Sequence, residues 1–312
     1  MTTFSVFLPF MPVRPENVLP FAELVRDTGL HRLWQGQSLV VEPHQAFAYA
    51  AGAGVRVPTG FGVTLAPLRH PLEAALQARS LALTTGESVV AGYGAAAVSF
   101  QQALGDRYAS PITAMTEYLT LVGDLVAGRR VDVDGRYFRC HAQLPAVQTP
   151  PVEIGVGVLR PSAARLAGTV AESAITWLTP ASYLRDVIVP AAHAAASDAG
   201  RKAPRIVAIV PVALASPDRD PAVLAAAGNF GHLALPHYRD MLARAGVSPT
   251  PQSLVDGRAF LYGEPESLLD GVAEFVDAGV DEIVLNVTGT AMAESPHAAL
   301  AEMRRLAALI PG

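Results

Sequence analysis

The sequence predicts an α/β fold, a (β/α)8 TIM barrel with insertions after its fourth and seventh strands. Three observations carry that reading. Eight short apolar runs alternate with helical runs along the whole chain, the pattern of a parallel sheet with crossover helices. One stretch shows the repeating unit plainly: a β-rich run (Val55–Leu65), a helical run (Leu72–Thr84) and a second apolar run (Ser88–Ala91). Strand, crossover helix and strand in that order place the two strands parallel and adjacent. Finally, 51% hydrophobic and only 16% charged residues supply the apolar surface a large core needs. An open doubly wound sheet is the alternative, because periodicity does not report closure. No tandem repeat or low-complexity linker divides the 312 residues, and barrels of this length run as one unit. A single domain over residues 1–312 is expected.

Taken in order, Phe4–Pro9 reads as the first strand, and Glu16–Thr28 as a helix closed by Gly29. Leu30–Gln35 is the second strand, ending at Gly36-Gln37-Ser38, and Pro43–Ala53 is a helix with Glu42 and Pro43 at its start. The βαβ unit supplies strands three and four. Residues 95–151 then depart from the alternation, with one clear helix (Ile112–Ala127) and a turn-rich piece, DVDGRYFRCHAQLP, patterned as a hairpin. Alternation resumes with strand Val152–Val158, helix Pro161–Val170, strand Ser173–Trp177, helix Ala181–Asp198 and strand Ile206–Val212. Pro217–Gly263 is a second helical insertion, followed by helix Pro265–Ala278, strand Glu282–Val287 and helix Pro296–Leu309.

Composition excludes several functions. The formal charge of −5, with no basic cluster beyond Arg129-Arg130, argues against nucleic acid. No apolar run is long enough to span a bilayer and no signal-peptide pattern opens the chain, so neither membrane nor export is expected and a cytoplasmic location is. Cys140 is the only cysteine, which rules out an internal disulfide and a Cys-based metal site; it reads as a packed thiol. Lys202 is the only lysine and precedes a strand, the wrong end of a barrel for Schiff-base chemistry.

Barrel chemistry sits at the C-terminal ends of the strands. Those ends hold glycines, hydroxyls, amides and aromatics, without the clustered Asp, Glu and His of a metal site and without paired carboxylates. Such a set suits a flat cofactor that carries the reaction itself. Glycine inside a strand is expected where a bulge or a close ligand requires it, which draws attention to Gly62, Gly92 and Gly94. In IGVGVLRPSAAR (Ile154–Arg165) a glycine-rich strand end meets a helix with Pro161 at its first position. Free N–H groups there, with Arg160 and Ser162 beside them, make either an anion site or an ordinary helix start.

Taken as an ordered set, Leu33-Trp34, TGFGVTLAPLRHP (Thr59–Pro71), VVAGYG (Val89–Gly94), DGRYFR (Asp134–Arg139), PPVEIGVGVLRPSAARLA (Pro150–Ala167) and AITWLTP (Ala174–Pro180) resemble the luciferase-like family of flavin- and deazaflavin-dependent barrel oxidoreductases. The resemblance implies a non-prolyl cis peptide at Gly62-Val63, a bulge with Thr64 on which the ring of F420, or alternatively FMN, rests. It implies further that Gly92, Tyr93 and Gly94 flank the ring and that Gly157, Leu159, Arg160, Pro161 and Ser162 hold the cofactor phosphate. A homodimer and a small-molecule or peptide substrate are its remaining implications. The chain departs from the pattern at Gln37-Ser38, where F420-using relatives often carry Asp-His, and at Ala95-Ala96-Ala97, where some carry an acid. Alcohol oxidation needs a base, so those departures favour an F420H2-dependent reductase acting on an activated C=C or C=N bond. Partial motifs such as LWQGQS and YASPITAMTEYL are similar to the subgroup that saturates dehydroamino acids in modified-peptide pathways. The candidate catalytic residues are Tyr93, His232 and Ser38. A reduced-FMN monooxygenase and a non-catalytic flavin-binding barrel are the alternatives.

Overall fold

A computed structural model describes residues 2–105 and 107–310. Eight parallel strands close into a barrel: β1 (Thr3–Phe7), β2 (Leu33–Gln35), β3 (Thr59–Phe61), β4 (Val89–Gly94), β5 (Val152–Gly157), β6 (Ser173–Trp177), β7 (Arg205–Leu214) and β8 (Glu282–Asn286). Each strand pairs with the next, and β8 returns to β1 through Thr3↔Glu282 and Val6↔Leu285. The closed (β/α)8 reading therefore holds and the open sheet does not.

Several element boundaries differ from the sequence reading. The third strand is not continuous: it breaks after Phe61 at a cis Gly62-Val63 peptide and resumes as Thr64–Leu65, which pairs with β4. The first helix begins as a 3-10 turn (Pro15–Val18) before the α-helix Leu19–Asp27, where two prolines set the start. The helix after β6 passes through a π-helical segment at Leu184–Ile188. The second insertion, helical as expected over Pro221–Ala234 and Pro236–Arg244, also holds a short strand, Leu261–Gly263, added in parallel to the end of β7. The hairpin of the first insertion is Val131–Asp134 paired antiparallel with Arg139–Ala142, and Cys140 is buried within it.

Side-chain alternation along the strands sorts residues between the barrel interior and the helical layer. Phe7, Trp34, Val90, Ile175, Val207, Ile209 and Val284 form an apolar cluster of their own inside the barrel. Their neighbours Val6, Leu33, Ala91 and Tyr93 belong to the larger core beneath the helices. At the N-terminal end the interior is plugged by a polar network centred on Glu282, which is fully buried. Its Oε1 accepts from Ser5 Oγ at 2.6 Å and Trp34 Nε1 at 2.7 Å, and its Oε2 from Arg205 at 2.6 Å. Burial works against the Glu282 charge, but Arg32, the Ser5 hydroxyl and Arg205 outweigh it and hold the carboxyl below its usual range.

Two glycines are dictated by close approach, one to backbone and one to a ring. A Cβ at Gly92 would lie 2.0 Å from the Phe61 carbonyl oxygen and 2.4 Å from Ile175 Cδ1. One at Gly60 would enter the Trp34 ring at 2.5 Å. Above Val90, the inward positions of β3, β4 and β5 are thus glycines, and Trp34, Ile175 and Ile209 fill the space they leave in the middle of the barrel. The C-terminal end is left open.

Candidate active site

At that open end a cavity of about 410 Å³ lies over β3 to β7. Its floor is the bulge. Val63 packs between two glycines, since a Cβ at Gly94 would stand 2.8 Å from Val63 Cγ2 and one at Gly157 3.4 Å from Val63 Cγ1. Gln37 holds the bulge from the side: its N–H donates to the Val63 carbonyl at 2.9 Å, and its Oε1 accepts from the Leu65 N–H at 3.3 Å. Thr64 donates to the Gly92 carbonyl at 3.1 Å, tying the bulge to β4.

The far wall is Trp177, which the cavity shares with Ile175 and Ile209. Phe7 meets the Trp177 ring edge-on at 4.9 Å, and His232 lies over it at 5.0 Å. The indole N–H of Trp177 is buried and has no hydrogen-bond partner among the described residues. The next residue, Leu178, takes a left-handed backbone (φ 56), as does Ala96 (φ 63) after β4, conformations that non-glycine residues adopt at a cost and that gather at functional sites. Pro111, Ile112 and Met115 from the first insertion close the cavity above.

One end of the cavity is polar. The helix Pro161–Val170 starts there with no side chain capping it, leaving the first-turn N–H groups at Ser162 and Ala163 available to an acceptor. Arg160 Nε pairs with Asp240 at 2.9 Å, and Asp240 also meets Arg244 at 3.1 Å. His237, from the second insertion, lines the same end. Burial and the Arg160 charge push its imidazole below the ordinary histidine value, so it is neutral at neutral pH. Among the described residues, no carboxylate lines the cavity.

Of the residues singled out from sequence, Gly62, Val63, Gly94, Gly157, Leu159, Arg160 and Ser162 line this cavity. The others sit apart from it. Tyr93 points into the helical layer, where it donates to the Ala74 carbonyl at 3.3 Å and meets the Tyr118 ring; burial pushes its phenol far above its usual value. Ser38 accepts from the Val40 N–H at 3.2 Å and is buried in its own turn. His232 stands behind Trp177, its pKa pushed down to about 4 by burial and by His237. Gly92 serves backbone packing, and Pro161 sets the helix start. Trp177 is a cavity wall because β6 ends there. Sequence reasoning passed over Ile209, which reaches the cavity from the inward face of β7, and Asp240, which comes from the second insertion, whose placement no local pattern shows. His70 caps the start of the helix Pro71–Thr85, its Nδ1 accepting from the Leu72 N–H at 3.2 Å.

The open end of the barrel thus carries a glycine-floored apolar slot, walled by an indole and ending at an uncapped helix start. Comparison with known proteins assigns the class: the family described as Luciferase-like monooxygenase matches residues 2–282, and the chain belongs to it, a family of oxidoreductases. Two curated relatives are each 25% identical. One is 5,10-methylenetetrahydromethanopterin reductase from Methanolobus tindarius, matched over 86% of this chain and 82% of that protein. The other is F420-dependent glucose-6-phosphate dehydrogenase from Microbacterium testaceum, matched over 88% of each. Among solved structures, an F420-dependent secondary alcohol dehydrogenase in complex with an F420-acetone adduct superposes with a TM-score of 0.80 at 17% identity, over 100% of this chain and 99% of that one. The oxygenating constituent of 3,6-diketocamphane monooxygenase from Pseudomonas putida, in complex with FMN, superposes at 0.75 and 18% identity, over 98% and 97%. These two likenesses establish the fold. No described helix is long and apolar enough to cross a membrane.

Proposed function

We propose that the chain is a cytoplasmic reductase that uses F420H2 to deliver hydride to an activated C=C or C=N bond of a small molecule or peptide, dehydroamino acids among them, and that it works as a homodimer. The observation that carries the reading is the absence of any carboxylate among the described residues that line the cavity. Oxidation of an alcohol asks the protein for a base to take the hydroxyl proton, whereas reduction of a polarised double bond asks mainly for position and exclusion of water. The residues fit the cofactor: the Val63 bulge between Gly94 and Gly157 offers a flat floor, and the Ser162 helix start with Arg160 offers the acceptor-hungry end. F420H2, when bound, supplies a hydride at its ring. Gln37 keeps the bulge in place, and Trp177, Ile175, Ile209 and Met115 would wall a ring bound there and keep water out. The second hydrogen arrives as a proton from water at the cavity mouth. Both curated relatives are F420-dependent or act on a pterin carrier by name, which favours the deazaflavin.

A second reading has one observation in its favour: the family's description as monooxygenases. In that case reduced FMN occupies the same slot. Incubating the protein with F420H2 and dehydroalanine- or dehydrobutyrine-containing peptides, under nitrogen, is expected to regenerate oxidised F420 together with a product two mass units heavier. Oxygen consumption with reduced FMN and a product gaining one oxygen atom, in place of F420H2 oxidation, would refute the reductase in favour of the oxygenase.

A further inference from the structure

Two observations at the polar end of the cavity are not used by the proposed reaction. His237 lines the cavity. It shares the cavity lining with Arg160 and Ser162, and it is close enough to Arg160 to feel its charge. The second observation is Asp240, three residues on along the same helix (Pro236–Arg244), whose carboxylate rests on Arg160. The helix thus presents one neutral donor and one anion to a cationic loop, an arrangement complete only while no other anion is present.

We propose that His237 is a ligand of the phosphate end of the bound cofactor, and that its imidazole takes up a proton as that phosphate displaces Asp240 from Arg160. The inference rests on the phosphate lying beside Arg160 and Ser162. The physical argument is the balance of charge around the ring. From the loop after β5 it faces Arg160; on its own helix lie Asp240, Arg244 and Tyr238; from the preceding helix comes His232; and Tyr183 stands by the Arg160, Asp240 and Arg244 group. Burial and the Arg160 charge disfavour the imidazolium and lower the basicity of His237. A phosphate at Arg160 reverses the local sign, because an anion within reach of the ring favours its charged form. The protonated ring then donates to the phosphate, a charge-assisted hydrogen bond. No bond other than N–H is made, and the proton comes from solvent. Linkage requires the converse: anion binding strengthens as pH falls into the window between the free and bound His237 values, and weakens as pH rises through the bound value, by up to about tenfold per pH unit.

The test uses sulfate, a dianion whose own charge is constant across the range. The Hε1 resonance of His237, assigned by its loss in His237→Gln, is followed by NMR from about pH 5 to 8 with and without excess sulfate. The expected result is an upward shift of the His237 titration by about one unit, a tenfold change in proton affinity. Sulfate affinity of the wild type should fall with rising pH while that of His237→Gln stays flat. Asp240→Asn, which removes the competing carboxylate, should bind sulfate several-fold more tightly and keep the pH dependence. A His237 titration unmoved by saturating sulfate, equal pH profiles in wild type and His237→Gln, or no sulfate binding in Asp240→Asn, would each overturn the proposal. Titration with F420 and FMN at one pH separates this from the parent reading: cofactor binding without the His237 shift sinks the inference alone, and failure of both cofactors to bind sinks the reading beneath it.

Discussion

Replacing Glu282 by glutamine removes the charge that the barrel plug is built on while leaving its shape. Glu282 accepts hydrogen bonds from Ser5, Trp34 and Arg205 at 2.6–2.7 Å, and Arg32 Nε lies 3.7 Å from the same carboxylate. The Arg32 side chain is only 4% exposed, so in the variant it faces a neutral amide without water to compensate. Arg205 is less affected: it is 31% exposed and keeps Glu153 at 2.8 Å. The amide nitrogen that Glu282→Gln introduces must also turn toward donors on one side or the other, leaving at least one of them unmatched. Breaking a buried pair costs about 3–5 kcal/mol, and the surviving Glu153 contact places the expected loss near the lower end, about 3 kcal/mol. For a chain of 312 residues that is roughly a 5 °C fall in Tm. The control is Glu153→Gln, which removes a partly solvated partner of Arg205 and should cost about 1 kcal/mol or less. Thermal unfolding followed by circular dichroism, with urea unfolding alongside, measures both. A Glu282→Gln loss under about 1 kcal/mol, or equal losses in the two variants, would refute the view that this carboxylate neutralises the plug.

Three further outcomes follow from the geometry. Gly92→Ala places a methyl against the Phe61 carbonyl oxygen, a backbone contact that cannot swing aside, so soluble expression should fall sharply or stability drop by about 3 kcal/mol, at the upper end of overpacking losses; a fully stable variant would contradict the strand spacing described. Gln37→Ala leaves the Val63 carbonyl bond to the backbone N–H but frees Leu65, and is expected to weaken F420 binding roughly tenfold, about 1.4 kcal/mol, with little change in Tm; the reverse pattern would make Gln37 merely structural. His232, neutral in the folded protein with a pKa of about 4, is protonated near 6.5 when unfolded. Its contribution is therefore fully present above about pH 6.5 and is lost as pH falls toward 4, up to about 3 kcal/mol. Urea titrations at several pH values should show that slope, and His232→Gln should flatten it.

Much of the fold was legible because each βα unit carries its own periodicity: eight apolar runs, each followed by a helix, leave few alternatives once crossover handedness is imposed. Legibility ended where tertiary contacts take over. Val55–Leu65 reads as one strand since nothing local marks the break at Gly62-Val63, and Leu261–Gly263 is too short to announce itself outside its pairing with β7. The same division runs through the site. The helix start at Arg160-Pro161 is a local signal and lines the cavity, whereas the glycines needed a structure to separate them: Gly92 answers to a carbonyl and Gly94 to the cavity floor. Tyr93 was singled out for its neighbours Gly92 and Gly94, yet alternation turns it to the opposite face of β4. His237 and Asp240 belong to an insertion, and only folding brings them beside Arg160.

The central claim, that this cavity holds F420, is tested most directly by titrating the purified protein with oxidised F420 and, separately, FMN while following cofactor absorbance and fluorescence, with Gly94→Val as the comparison. Saturable binding that favours F420 and disappears in a folded Gly94→Val protein, whose added side chain would crowd Val63 on the cavity floor, is the predicted result. Preference for FMN would move the assignment to the monooxygenase, and binding of neither cofactor, or equal binding by wild type and Gly94→Val, would contradict the site.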